Sequence, residues 1–158
     1  MEVASFTIDH DRLLRGIYVS RKDMVGEETL TTFDIRIKRP NIEPPMETSA
    51  IHTLEHLMAV YLRGHDLWAD KIIYVGPMGC RTGMYLILKG DFEPEDIVEL
   101  MRETFKYMAE YNDEIPATQS RECGNNLDHN LNFAKYECKK YLEEVLNNIK
   151  TENMVYPE

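Results

Sequence analysis

The stretch KIIYVGPMGCRTGMYLILKG, residues 71–90, decides the fold class. KIIYVG and GMYLILKG are short apolar runs rich in β-branched and aromatic side chains, which predicts two strands. PMGCRT is a tight connection between them, as antiparallel neighbours require. Upstream, LTTFDIRIK (30–38) alternates Phe33, Ile35 and Ile37 with Asp34, Arg36 and Lys38, the period of a half-buried strand. ASFTI near the N-terminus predicts a further short strand. A Pro-rich loop, RPNIEPPMETS, leads to Ser49 as the expected N-cap of a helix over about 50–64, closed near Gly64. From Pro94 to Tyr111, residues Ile97, Leu100, Met101, Phe105 and Met108 recur at helical spacing, with Pro94 in the first turn. NLDHNLNFAKYECKKYLEEVLNNI carries the helical pattern again to near residue 149. Helices mixed with antiparallel strands make the chain α+β: an antiparallel sheet packed against helices in one compact domain, 1–158.

Composition narrows the function. A chain of 158 residues buries a real core, and three cysteines (Cys80, Cys123, Cys138) are too few and too unevenly spaced for a disulfide framework. The net charge of −10 and a pI near 5.0 argue against a nucleic-acid partner. With no apolar run near ~18 residues and no targeting segment, no membrane association is expected, and the protein is expected to be cytoplasmic.

AIHTLEHLM (50–58) holds the chemistry. On a helix, His52 and His56 share a face one turn apart and converge on one ion. Imidazole nitrogen suits zinc and Fe(II), and Glu55 sits beside such a metal, free to move protons. H-x-x-E-H is also the inverted zinc-peptidase signature, and two histidines four apart also arise by chance. A catalytic site needs a third ligand. A peptidase would take a downstream glutamate, for which Glu99 and Glu103 are candidates. Cys123, in RECGN ahead of a predicted helix whose dipole would favour a thiolate, is the other choice, with His129 a weaker one. Cys80 sits among glycines that let a substrate approach, and Arg81 with a nearby cation would favour its thiolate as a base or nucleophile. A buried small hydrophobe is the plain alternative for any of these cysteines.

Together, HTLEH (52–56), PMGCRTG (77–83), ECGN…HNL…AK (122–135), SFTIDH (5–10) and FDIR…PN (33–41) resemble the S-ribosylhomocysteine lyase (LuxS) family, in the family's order and over nearly the whole chain. The resemblance implies a small α+β homodimer with metal sites at the subunit interface. It implies cleavage of S-ribosylhomocysteine to homocysteine and 4,5-dihydroxy-2,3-pentanedione, the autoinducer-2 precursor. It also implies that His52, His56 and Cys123 hold one divalent metal, Fe(II) natively and Zn(II) or Co(II) as substitutes, with water or substrate in the fourth position. Cys80 and Glu55 would be the acid–base pair; Ser5, His10, Arg36 and Arg63 would lie around the substrate or its anchoring.

Those residue types suit that reaction. The thioether at C5 leaves only once a carbonyl stands at C3, so the carbonyl must migrate from C1 to C2 to C3 through enediolates. A Lewis acid stabilises the charge, and a thiolate base moves protons between carbons. Glu55 moves protons between oxygens and assists the final β-elimination. No redox change and no organic cofactor is required. The chain departs from the family in writing Tyr74-Val-Gly before PMGC where the family writes Asp-Ile-Ser, and His129-Asn130-Leu131 where the family writes His-Asp-Leu. The first departure bears on a polar contact to the homocysteine end and the second on a contact behind the metal ligands. The Pro-rich loop is also about one residue longer.

Ile51, Leu54, Leu57 and Met58 read as core, the acidic runs FEPEDIVELMRE and YLEEVL as solvated helix faces, and Cys138 and His65 as bystanders. Two other functions compete with the lyase: an inverted-motif metallopeptidase, and an inactive metal-binding paralogue.

Overall fold

Four strands pair antiparallel in the order β1-β2-β4-β3: β1 (Gly16–Val25), β2 (Glu28–Arg36), β3 (Ile72–Pro77) and β4 (Gly83–Lys89). This computed structural model describes residues 3–157; residues 1, 2 and 158 of the expected domain lie outside them. The 71–90 stretch forms the β3–β4 hairpin as expected. Gly83 lets β4 close on β2, because a Cβ there would lie 2.4 Å from the Ile35 carbonyl oxygen. β1 was not legible in the sequence: its outer half, Arg21–Asp23, is charged and does not alternate. It pairs through a hairpin in which Gly26 takes φ 64°.

Two strand expectations need correction. Ala4–Phe6 is a 3-10 turn, since the Thr7 hydroxyl and amide both donate to the Ala4 carbonyl and draw the backbone away from a ladder. The polar face of β2 and its extension is buried with the apolar one: Asp34 is 1%, Arg36 2% and Lys38 6% exposed. Burial is tolerated because every charge has a partner, Asp34 with Arg36 and Lys38 with Glu137 of the third helix, 2.7 Å away.

Three helices, α1 (Thr48–Arg63), α2 (Pro94–Glu110) and α3 (Leu131–Glu144), pack with the sheet around one core. Phe33, Ile35, Met84 and Leu86 meet Leu54, Leu57 and Met58 of α1, Leu100 and Phe105 of α2 and Cys138 of α3. The apolar α1 residues are therefore core, as is Cys138, whose thiol burial pushes to a higher pKa. Ser49 is not the N-cap of α1. Glu47 holds that position and the Ser49 hydroxyl donates to its carboxylate, because the Met46 amide is tied to Arg81 of the β3–β4 turn and the helix begins directly after it. α2 starts at Pro94 with the Asp96 carboxylate accepting from the Glu93 amide at 2.7 Å. α3 starts later than residue 126. Asn130 caps it by accepting from the Phe133 amide at 3.0 Å, while its own amide donates to Thr53 Oγ1 and to the Ser49 carbonyl. Residues 126–130 are thus a loop pinned to α1. Among the described residues, no helix is long and apolar enough to cross a membrane.

Candidate metal centre

Burial of Ile51, Leu54, Leu57 and Met58 sets the roll of α1 and leaves His52 and His56 half-buried at its edge. The segment between α2 and α3 crosses this edge. His52 Nδ1 donates to the Asp128 carbonyl at 2.9 Å and His56 Nδ1 to the Pro116 carbonyl at 2.8 Å. A carbonyl only accepts, so each Nδ1 carries the proton and each Nε2 presents a lone pair. Both lone pairs face Cys123 Sγ, at 3.5 Å from His52 Nε2 and 3.9 Å from His56 Nε2. His129 completes the group with Nε2 3.9 Å from the same sulfur. All four donor atoms lie within 4.8 Å of one another.

This set fits a divalent ion. Tetrahedral bonds of about 2.3 Å to sulfur and about 2.0–2.1 Å to nitrogen imply sulfur–nitrogen edges of about 3.6 Å, close to all three separations. Burial, then the neighbouring His52 and His56, hold the His129 imidazole below the ordinary histidine pKa, which favours the neutral, ligating form. The expected helix dipole at Cys123 is absent, because α3 begins only at Leu131. Cys123 is placed instead by its backbone N–H, which donates to the Gln119 carbonyl at 3.1 Å. Glu55 Oε2 lies 3.8 Å from His56 Nε2, beside the cluster and outside it. Glu99 and Glu103, the ligands a peptidase would take, pair with Arg102 and His65.

The sequence undervalued His129, although its separation of six residues from Cys123 was a visible signal. It gave no hint of Thr53, whose hydroxyl lies 3.0 Å from His129 Nδ1.

Cys80 occupies the exposed β3–β4 turn, followed by Arg81 at φ 59°. Its sulfur is 3.1 Å from Thr82 Oγ1 and 3.9 Å from Arg36 Nη1. The cation beside it is therefore Arg36, whereas Arg81 donates to the Met46 carbonyl at 3.1 Å. Arg36 is itself committed, donating to both Asp34 oxygens at 3.0 and 2.6 Å and to Thr82 Oγ1 at 2.7 Å. His10 and Cys80 line one cavity of about 220 Å³. Ser5 and Tyr74 line another of about 360 Å³. Arg63 is at the exposed end of α1, 3.3 Å from the Ile73 carbonyl. Among the described residues, no hydrogen bond, ion pair or ring contact joins Cys80, His10 or Ser5 to the His–Cys cluster.

The departures from the family are accommodated locally. Tyr74 and Gly76 are coupled: a Cβ at 76 would lie 2.0 Å from the Tyr74 hydroxyl oxygen, so the phenol fills the space a serine there would need. Asn130 caps α3, a role in which Asn and Asp are equivalent.

Residues 3–152 match the family described as S-ribosylhomocysteinase (LuxS). The chain is 59% identical over 155 residues to an S-ribosylhomocysteine lyase of Phocaeicola vulgatus, covering 98% of this chain and 96% of the relative. It is 54% identical over 156 residues to one of Clostridium beijerinckii, covering 99% and 98%. It is likewise 54% identical to one of Borreliella burgdorferi, covering 99% of each. With the family's His-x-x-Glu-His helix and its cysteine brought together in space, the chain belongs to the S-ribosylhomocysteinase (LuxS) family.

Proposed function

We propose that this chain is an S-ribosylhomocysteine lyase, releasing homocysteine and 4,5-dihydroxy-2,3-pentanedione by carbonyl migration and β-elimination. The observation that carries the reading is the convergence of His52, His56 and Cys123, with both imidazole tautomers set by backbone carbonyls. These residues hold one divalent ion, Fe(II) in the cell, for which Zn(II) or Co(II) can substitute. When bound, the ion supplies Lewis-acid stabilisation of negative charge on the sugar oxygens.

The protein's own groups move the protons. Cys80 takes a proton from one sugar carbon and returns it to the next, with the Arg36 guanidinium 3.9 Å from its sulfur. Glu55, next to His56, carries protons between sugar oxygens and to the departing sulfur. Once the carbonyl is at C3, removal of the proton at C4 expels the thioether sulfur from C5, and homocysteine leaves as a thiol. Ser5, His10 and Arg63 bind or anchor the substrate, and Arg36 acts through Cys80.

That the Cys80 cavity and the His–Cys cluster share no residue supports a homodimer in which the sites form between copies; its place in the cytoplasm is what the family resemblance suggests. The test is thiol release from S-ribosylhomocysteine by anaerobically purified, Fe(II)-loaded protein. One Fe(II) per chain with no thiol released would favour the inactive metal-binding paralogue and sink the lyase.

A further inference from the structure

We propose that Tyr156 is a positioning residue for the reaction at Cys80: it fixes the Asp34 carboxylate, which in turn aims the Arg36 guanidinium at the Cys80 sulfur. The inference rests on the lyase reading of Cys80 and extends it to a residue outside the matched span 3–152.

The contacts run in an unbroken line. Arg36 donates to Asp34 through Nε at 3.0 Å and Nη2 at 2.6 Å, a two-point fork that sets the plane of the guanidinium. The remaining nitrogen, Nη1, is thereby turned toward the β3–β4 connection. There it donates to Thr82 Oγ1 at 2.7 Å and lies 3.9 Å from Cys80 Sγ.

This aim is only as good as the placement of the carboxylate. The Asp34 backbone is fixed in β2, paired with Tyr18 on one side and Tyr85 on the other. Its terminal torsion is not fixed by the strand, because an aspartate carboxylate turns over a broad range. The Tyr156 hydroxyl supplies the missing constraint by donating to Oδ2 at 2.8 Å. Among the described residues, it is the donor to this carboxylate from outside the ion pair. Asp34 is 1% exposed, so water does not readily take the hydroxyl's place.

Tyr156 can act as a fixed point because it is itself held. Its ring stacks on Tyr18, whose hydroxyl donates to the Leu14 carbonyl at 2.8 Å. The approach to it is pinned by the Asn153 side-chain amide, which donates to the Arg15 carbonyl at 2.9 Å. A phenylalanine would satisfy the stack. The hydroxyl is spent on the carboxylate that orients Arg36.

Tyr156→Phe in the Fe(II)-loaded full chain keeps the ring and deletes only that hydroxyl. The expected result is a kcat for thiol release about tenfold lower, with KM within about twofold of wild type. Iodoacetamide should also alkylate Cys80, the exposed cysteine of the three, severalfold more slowly. Arg36→Lys keeps the charge and removes the fork, so adding Tyr156→Phe to it should change neither rate further. A cover with no positioning role would lower the denaturation midpoint and leave both rates alone. Rates unchanged in Tyr156→Phe, or an equal loss in the Arg36→Lys background, would overturn the proposal. Should Arg36→Lys not fold, the two rates of Tyr156→Phe decide. If the wild type releases no thiol, the lyase reading fails by itself, and the alkylation rates still test the line from Tyr156 to Cys80.

Discussion

Around Cys123, three imidazoles and a thiol bring their four donor atoms within 4.8 Å of one another. Around Cys80, the charges cancel within the protein: Asp34, Arg36 and Thr82 satisfy one another, and only the sulfur faces outward. The first region is a socket, since its clustered nitrogen and sulfur donors are a set that suits a divalent cation. The second is a closed ion pair whose Arg36 guanidinium lies 3.9 Å from an exposed thiol. Removing a residue from the socket should therefore affect what the protein holds; removing one from the unit should affect how well it folds or reacts.

The largest effect separates the two directly. Cys80→Ala should lower the rate of thiol release by about 10²–10⁴-fold, the range for a positioned acid–base group, while metal content stays at the wild-type level. Cys123→Ala should lose both metal and activity. Thiol release that survives Cys80→Ala would remove that sulfur from the chemistry, and full metal content in Cys123→Ala would remove the other from the socket.

Next comes the buried pair. Arg36→Ala leaves the Asp34 carboxylate, 1% exposed, with no cation. Breaking a buried pair from one side costs about 3–5 kcal/mol, to be read as a lowered urea midpoint at unchanged slope. Glu55→Gln, beside the socket, should by contrast leave the midpoint close to wild type, because Glu55 is only partly buried and faces the neutral His56 imidazole at 3.8 Å. Equal losses in the two variants would erase the distinction between the regions.

How legible each region was follows from the same contrast. The socket lies on one helix, where spacing fixes geometry, so His52 and His56 could be paired from AIHTLEHLM alone. Cys123 and His129 come from an irregular segment, and no period states where such a loop returns; the sequence offered Cys123 as a third ligand and His129 as a weaker one, family motifs favoured the cysteine, and the fold brings both to the cluster. On β2, alternation gave the correct side for Phe33 and Ile35 but placed Asp34 and Arg36 in solvent. A charged residue reads as exposed until its partner is known, and the partners here are the pair itself and a distant residue, Tyr156. β1 escaped notice for a related reason, since the charges of its outer half hide the apolar start Ile17–Val19.

Tyr156 provides the smallest and most specific test. Its ring stacks on Tyr18 at 4.7 Å with planes 9° apart, and its hydroxyl donates to Asp34 Oδ2 at 2.8 Å. Tyr156→Phe keeps the stack and deletes one hydrogen bond to a charged acceptor, worth about 1.5–3 kcal/mol. Burial, reinforced by the Asp34 charge, raises the phenol well above its ordinary pKa, so it remains a donor in the folded protein. A group whose folded pKa is raised stabilises fully below its unfolded value, about 10 for tyrosine, and loses that contribution as pH rises beyond it. The stability gap between wild type and Tyr156→Phe should therefore be constant from pH 7 to 9 and shrink above pH 10. A gap that is absent at pH 7 would mean that Arg36 alone satisfies Asp34, making the C-terminal segment a cover for the charged unit and not a member of it.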